Sequence, residues 1–324
     1  MFLMKDFSEQ QFVEYLYGDI DLEKAFPIMR PLLAHYGSLD TIEKILKHEE
    51  LWLSHPLQMN DVEEVSSGIN AAMNLLRSNG KFLETLGTDD RRELFFSSLD
   101  RLYSDYATDG VLDLYVICFS EHLQDNHDGN LVMWRGYGGE GSGAALILDT
   151  SRIEPLDQQA LILDRVSYET RESRLDKIEI QIERICSFLN EYTVPILDIQ
   201  MLAKHIFERI LIAAVYTKNR CFEDEKEWRL VYFSQRDKSD FFKTQFSYDI
   251  GPQGVHPRLK LNFEEYSEFR GKEIKIADLL DSIILGPSNS APVVGMAAAR
   301  MLDQLNLSHL KSRLFVSTIP YRKR

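Results

Sequence analysis

Leu112-Asp-Leu-Tyr-Val-Ile-Cys-Phe119 and, after a polar interval, Gly143-Ala-Ala-Leu-Ile-Leu-Asp149 decide how this chain is read. Each is a compact apolar and aromatic run of strand length, bounded by glycine or acidic residues. Leu161–Glu169 reads as a third strand. Upstream the texture is helical. Ser8–Tyr17 and Leu22–Arg30 carry apolar residues at spacings near three and four, with Pro27 kinking or ending the second. Ser38 reads as an N-cap, followed by Leu39, Ile42, Ile45 and Leu46 on one face. Leu51-Trp-Leu-Ser54 is a short strand, and Val62 to about Tyr106 is helical with Gly80 and Gly87 as punctuation.

Downstream, Arg171–Leu189 and Val194–Thr217 are long amphipathic helices. Strands follow at Glu227–Phe233, Gln245–Asp249, Arg258–Asn262 and Ser282–Leu285, then a helix near Ala291–Leu305 and a strand at Ser312–Ser317. Strands and helices do not alternate strictly, which disfavours a doubly wound parallel sheet. The expectation is one α+β domain over residues 1–324. It has a helical part over 1–110 and a sheet-rich part over 111–324 with a helical insertion at 171–217. Its core is a mixed or antiparallel sheet with inserted helical layers.

Composition narrows the functional classes. The 324 residues include 18 Phe and 14 Tyr, enough to exclude a disordered chain. A net charge of −14 argues against a broad nucleic-acid surface, which needs clustered Lys and Arg. It leaves room for a small basic pocket that takes one phosphorylated ligand. Apolar runs such as Ile210–Val215 are too short to span a bilayer, and the start, Met1-Phe-Leu-Met-Lys-Asp6, lacks the pattern of a signal peptide. Cys118, Cys186 and Cys221 show no short paired spacing, so neither a disulfide framework nor a zinc site is expected. A cytoplasmic protein without membrane segment or metal is the expectation.

Four segments carry most of the chemistry. His35-Tyr36 leads from an extended stretch into the helix capped by Ser38, and offers a titratable ring and an aromatic hydroxyl. Asn60-Asp61 precedes a helix, with Glu64 placed as in a capping box; capping explains that segment, and Asn60 is also a candidate ligand contact. Val116-Ile-Cys-Phe-Ser120 ends a strand in a small hydroxyl, and Trp134-Arg135-Gly-Tyr137 follows with aromatic faces, a cation and glycines, as a small-molecule cleft would need. The glycines also fit a plain turn; they lack the Walker lysine and open a strand rather than a helix. In Glu223-Asp-Glu225-Lys-Glu227-Trp-Arg229, alternation puts Glu225, Glu227 and Arg229 on one face. Most of these acids read as solvated. Glu227, where the pattern turns apolar, is the carboxylate expected to point into something structured, with Arg229 to hold it. Ile283-Ile-Leu-Gly-Pro-Ser-Asn289 is a buried strand and turn that could present backbone N–H groups to an anion.

Taken in order, HYGSL (35–39), LWLSHPLQMND (51–61), CFSE (118–121), MWRGYG (133–138), GAALILD (143–149), EKEWRLV (225–231) and IILGPSN (283–289) resemble the signature blocks of a bacterial domain-of-unknown-function family, number twenty-nine seventy-one. Where the family usually has Asn-Asp-Pro, this chain has Asn60-Asp61-Val62. The chain is more distantly similar to ADP-ribosyltransferase folds, through His35-Tyr36, Phe119-Ser120 and Glu227 in that order. That resemblance implies an NAD-dependent ADP-ribosyltransferase or NAD glycohydrolase, acting as a toxin or phage-defence effector. Glu227 would hold a ribose hydroxyl and stabilise developing positive charge, His35 would bind the adenosine-side ribose, and Ser120 would support the geometry around Glu227. Tyr36 or Tyr137 would stack on nicotinamide beside Trp134, and Arg135 would meet the pyrophosphate. The alternative is a non-catalytic nucleotide sensor or interaction module, with Phe95, Phe96 and Tyr103, or Ile178, Ile182, Ile185 and Leu189, as a surface for a protein partner unless they are core.

Overall fold

The computed structural model describes residues 5–56, 62–108, 114–154, 160–251, 254–289 and 292–321. Its strands in chain order are β1 (Lys5–Asp6), β2 (Leu32–Gly37), β3 (Glu50–Ser54), β4 (Leu114–His122), β5 (Ala144–Asp149), β6 (Leu161–Arg165) and β7 (Ser167–Glu169). They continue with β8 (Tyr192–Thr193), β9 (Thr217–Asn219), β10 (Glu227–Phe233), β11 (Phe246–Gly251), β12 (Gly254–Asn262), β13 (Leu280–Leu285) and β14 (Leu314–Val316). The helices are α1 (Glu9–Leu16), α2 (Leu39–His48), α3 (Val62–Ser78), α4 (Gly80–Leu86), α5 (Asp89–Thr108) and α6 (Leu131–Gly136). After them come α7 (Arg171–Glu191), α8 (Ile199–Val215), α9 (Phe263–Arg270), α10 (Ile276–Leu279) and α11 (Pro292–Gln304).

Where the patterning predicts one α+β domain, the internal contacts group the chain into two compact units, each built from three separate segments. The first (residues 1–22, 59–112 and 166–222) holds α1, α3, α4, α5, α7 and α8 with two short parallel strand pairs, β1–β8 and β7–β9. Phe82, Phe95, Ile182, Ile185, Phe188 and Leu189 are buried in it, and the Phe82 and Phe95 rings meet edge-on at 5.3 Å. The residues weighed as a partner surface are therefore mostly core. Thr170 starts α7 in a capping box with Ser173.

The second unit (residues 23–58, 113–165 and 223–324) is a ten-stranded sheet in the order β11-β12-β3-β4-β2-β5-β13-β14, with β10 added on β4 and β6 on β10. All pairings are antiparallel except β13–β14, so the α+β class with a mixed, mostly antiparallel sheet stands. Ser120 of β4 pairs with both Glu227 of β10 and Ala34 of β2, so these strands flank it on opposite edges. Val116 pairs with Val231 of β10 and Ser54 of β3. Hence β2 and β3 share one edge of β4 and part from each other between Val116 and Ser120.

Strand alternation gives the sheet two chemically different faces. One carries Leu33, Phe119, Leu148, Leu163, Leu230 and Leu261, packed with Ile42, Ile45 and Leu46 of α2 and with Phe263 and Tyr266 of α9. Ser38 caps α2 by accepting from Thr41 N–H at 3.1 Å, so this helix begins where the sequence placed it. The other face carries a smaller cluster of Ala34, Tyr36, Met133, Trp134, Ala145, Ile147 and Ile284, and the polar residues described below.

Two local expectations change. Leu22–Arg30 is not a helix but a single 3-10 turn at Leu22–Lys24, because Pro27 lacks the N–H and the free space a helix interior requires. Leu161–Glu169 is two strands: β6 joins the ten-stranded sheet, whereas β7 pairs with β9 in the helical unit. Val62–Tyr106 is helical with breaks near Gly80 and at Gly87 as expected, α4 beginning after an Asn79 cap that accepts from Phe82 N–H and ending before Gly87. Among the described residues no helix is long and apolar enough to cross a membrane.

Candidate functional site

Antiparallel register places directly opposed side chains on the same face. Ser120 opposes both Glu227 and Ala34, and Cys118 opposes Arg229. Tyr36, two residues beyond Ala34, therefore shares a face with Ser120, Glu227 and Arg229. Glu227 and Arg229 are 4% and 2% exposed. The guanidinium grips the carboxylate with two bonds, Nε to Oε1 at 2.8 Å and Nη2 to Oε2 at 3.0 Å. Such a fork fixes the carboxylate in direction as well as in charge.

The turn entering β10 is tied to the end of β4. Ser120 Oγ donates to the Glu225 carbonyl at 2.7 Å, and Glu121 N–H to the Lys226 carbonyl at 2.8 Å. Lys226 sits at φ 45°, a left-handed conformation that costs a side-chain-bearing residue energy. It separates two buried carboxylates, because Glu225 is only 6% exposed while Glu223 and Asp224 are exposed. Glu225 Oε1 accepts from the Tyr137 hydroxyl at 3.2 Å. Asn130 Nδ2 donates to the Asp224 carbonyl at 3.0 Å, which binds the α6 segment to the same turn.

Of the residues anticipated from the sequence, the structure brings together Tyr36, Ser120, Glu227, Arg229, Trp134 and Tyr137. The Tyr36 ring meets Trp134 edge-on at 4.7 Å, and its hydroxyl accepts from Asn130 N–H at 2.8 Å. Burial pushes the Tyr36 hydroxyl up to about 12, only partly opposed by the Asn130 bond, so it keeps its proton at neutral pH. Trp134 is 0% exposed and its indole N–H donates to the Asp128 carbonyl at 2.8 Å. It supports the site from below rather than forming an open wall. Arg135 and Tyr137 are exposed, with Arg135 lying 6.0 Å over the Tyr321 ring. Asn60 lies outside the described residues.

His35 is not on this face. Neighbouring residues of a strand point to opposite sides, so His35 shares the apolar face with Leu33 and packs edge-on against Phe119 at 5.7 Å. Its Nδ1 lies 3.0 Å from the Cys118 carbonyl, in the interval where β2 and β3 leave the edge of β4. A carbonyl only accepts, so Nδ1 carries the proton and Nε2 of the neutral ring is the basic atom. Burial holds the imidazole below its ordinary value of 6.5, with the Cys118 bond opposing. The unfolded chain takes up a proton below that value while the folded chain resists it. Stability from this residue is therefore complete above about pH 6.5, is lost as pH falls toward the folded value, and is level below it. His35→Gln is expected to shrink the fall in urea midpoint between about pH 8 and about pH 5. His122 is shifted in the same direction by burial and is common to both proteins. Identical pH profiles for the two would refute a titrating role for His35.

The glycines pack the two loops closely against one another. Gly138, Gly141 and Gly143 N–H donate within the loop to Met133, Trp134 and Gly138 carbonyls. Gly286 and Ser288, in the turn after β13, donate to the Gly143 and Gly141 carbonyls. Those N–H groups are therefore committed to carbonyls of the neighbouring loop. The sequence missed the partners of Glu225. Alternation had put it in line with Glu227, but the left-handed Lys226 breaks the alternation, and only the fold brings Tyr137 to it. Among the described residues no group of three His, Cys, Asp or Glu is placed to hold a metal ion.

These features define an α+β protein whose sheet carries a buried, polar carboxylate site on one face. Residues 133–230 match the family model described as Protein of unknown function (DUF2971). The matched segment contains Trp134, Tyr137, Glu225, Glu227 and Arg229, and stops short of His35, Tyr36 and Ser120. No curated protein and no solved structure matches the chain.

Proposed function

We propose that the Glu225–Glu227 site binds NAD and breaks its nicotinamide–ribose bond, as an NAD glycohydrolase or ADP-ribosyltransferase of the toxin or phage-defence kind. The observation that carries this reading is the pair of buried carboxylates on either side of the strained Lys226, with Ser120 directly opposite Glu227. In this chemistry nicotinamide leaves with the bonding electrons, and the ribose carbon becomes cation-like. Glu227, held in place by Arg229, meets that charge without reorganising. Water or an acceptor nucleophile then forms the new bond at the ribose carbon, and Glu225, already hydrogen-bonded to Tyr137, takes its proton. Ser120 holds the turn through its bond to Glu225. His35, on the opposite face, has no part in this scheme.

The test is nicotinamide release from NAD by the purified chain, followed chromatographically. Glu227→Gln, compared with wild type on the fraction that circular dichroism shows to be folded, is expected to slow release at least about 100-fold, and His35→Gln by no more than a few-fold. Absence of release, or a Glu227→Gln protein as fast as wild type, sinks the reading. A second reading, a nucleotide sensor without turnover, is favoured by one fact: both Glu227 oxygens are engaged by Arg229 in a nearly closed position. Under it, NAD raises the melting temperature and no nicotinamide appears.

A further inference from the structure

The apolar face of the same sheet, opposite the carboxylate site, encloses a cavity of about 190 Å³. Its floor is Leu33, Phe119, Leu148, Leu163, Leu230 and Leu261, one side chain from each of β2, β4, β5, β6, β10 and β12. Tyr266 of α9 and Leu279 of α10 form its walls. Packed interiors keep few spaces larger than a water molecule, and apolar hollows with a few polar groups at the mouth are the usual shape of small-ligand sites.

The charges around the mouth are uneven. Arg270-Gly-Lys272-Glu273-Ile-Lys275 supplies three cations against one acid, and every one of those four charged residues lines the cavity. Lys272 pairs with Glu154 across the mouth, both more than half exposed, and Lys275 pairs with its neighbour Glu273. Arg270 closes α9 with no ion-pair partner among the described residues, its charge reaching Glu154. Asp278 of α10 also lines the cavity, and Arg152 is committed to Asp149 and to the Leu280 carbonyl. Exposed ion pairs are worth little, so an incoming carboxylate can replace Glu154 at Lys272 at small cost.

From this we infer that the cavity binds a small amphipathic carboxylate, its apolar tail on the leucine floor and its headgroup between Arg270 and Lys272. The site is independent of the NAD reading, because it lies on the opposite face and uses none of the same side chains. Nothing in it requires a reaction: the ligand is held, not transformed.

The experiment is calorimetric titration of the full chain with octanoate, 1-octanol and octylammonium. Saturable one-to-one binding of octanoate is expected, with octylammonium at least about tenfold weaker, a difference of about 1.4 kcal/mol. The double variant Arg270→Glu/Lys272→Glu changes only exposed side chains and is expected to reverse that preference. Leu163→Phe fills the floor and is expected to weaken octanoate and octanol alike by about tenfold or more. Octanol binding as well as octanoate, with the double variant unchanged, would overturn the headgroup assignment. Failure of octanoate to saturate, or its full retention in a folded Leu163→Phe protein, would overturn the site itself. If Leu163→Phe does not fold, the double variant decides.

Discussion

Arg229→Ala is expected to destabilise the protein by about 3–5 kcal/mol, because it strips the guanidinium from a carboxylate that is 4% exposed. The two bonds of the fork, at 2.8 and 3.0 Å, make the charge of Glu227 tolerable in that position. Deleting the cation leaves the anion with its desolvation cost and without its main compensation. A domain of this size is stable by only about 5–15 kcal/mol, so the variant sits near the threshold of folding. Replacing both partners by apolar residues of similar volume, Glu227→Leu with Arg229→Met, is expected to recover most of the loss, since no unpaired charge then remains. Urea denaturation of wild type, both single variants and the double gives the coupling directly. A loss below about 1 kcal/mol for Arg229→Ala would show that Glu227 does not depend on the fork.

Gly143→Ala is the second large effect, expected at about 3 kcal/mol or more. A Cβ at this position would stand 2.1 Å from the Gly37 carbonyl oxygen and 2.9 Å from that of Gly138. Both neighbours are backbone, and neither can rotate aside as a side chain would. Gly143 also donates to Gly138 and accepts from Gly286, each at 2.9 Å, so moving it disturbs the glycine loop and the turn after β13 together. Gly136 is the internal control: a Cβ there meets nothing within 4 Å, and Gly136→Ala is expected to be neutral or stabilising by up to about 1 kcal/mol. Melting temperatures of the two alanine variants decide the point. If they coincide, close packing is not what requires Gly143.

Much of the architecture is local and was legible from the residues. The apolar and aromatic runs in 112–119, 143–149 and 227–233 match strands β4, β5 and β10, because such side chains on a pleated backbone suit a sheet with packed faces. Ser38 capped α2 as its position ahead of an amphipathic run implies. Glu227 was singled out from a run of acids because it stands where polarity gives way to an apolar strand, and it is indeed buried against Arg229, two residues along the same face.

What the chain by itself determined about this protein is therefore most of its longer strands and helices, the capped starts and the pairing of Glu227 with Arg229, all set by interactions within a few residues. Tertiary structure alone decided which side chains meet. Alternation separates His35 from Tyr36, but only the register of β2 on β4 says that Tyr36 is the one beside Ser120 and Glu227. The close approach of Gly143 to Gly37, the burial of Trp134 and the bond from Tyr137 to Glu225 depend likewise on segments distant in sequence. Register and loop packing are settled by the free energy of the whole sheet burying one face at once, a sum over many strands that no single stretch encodes.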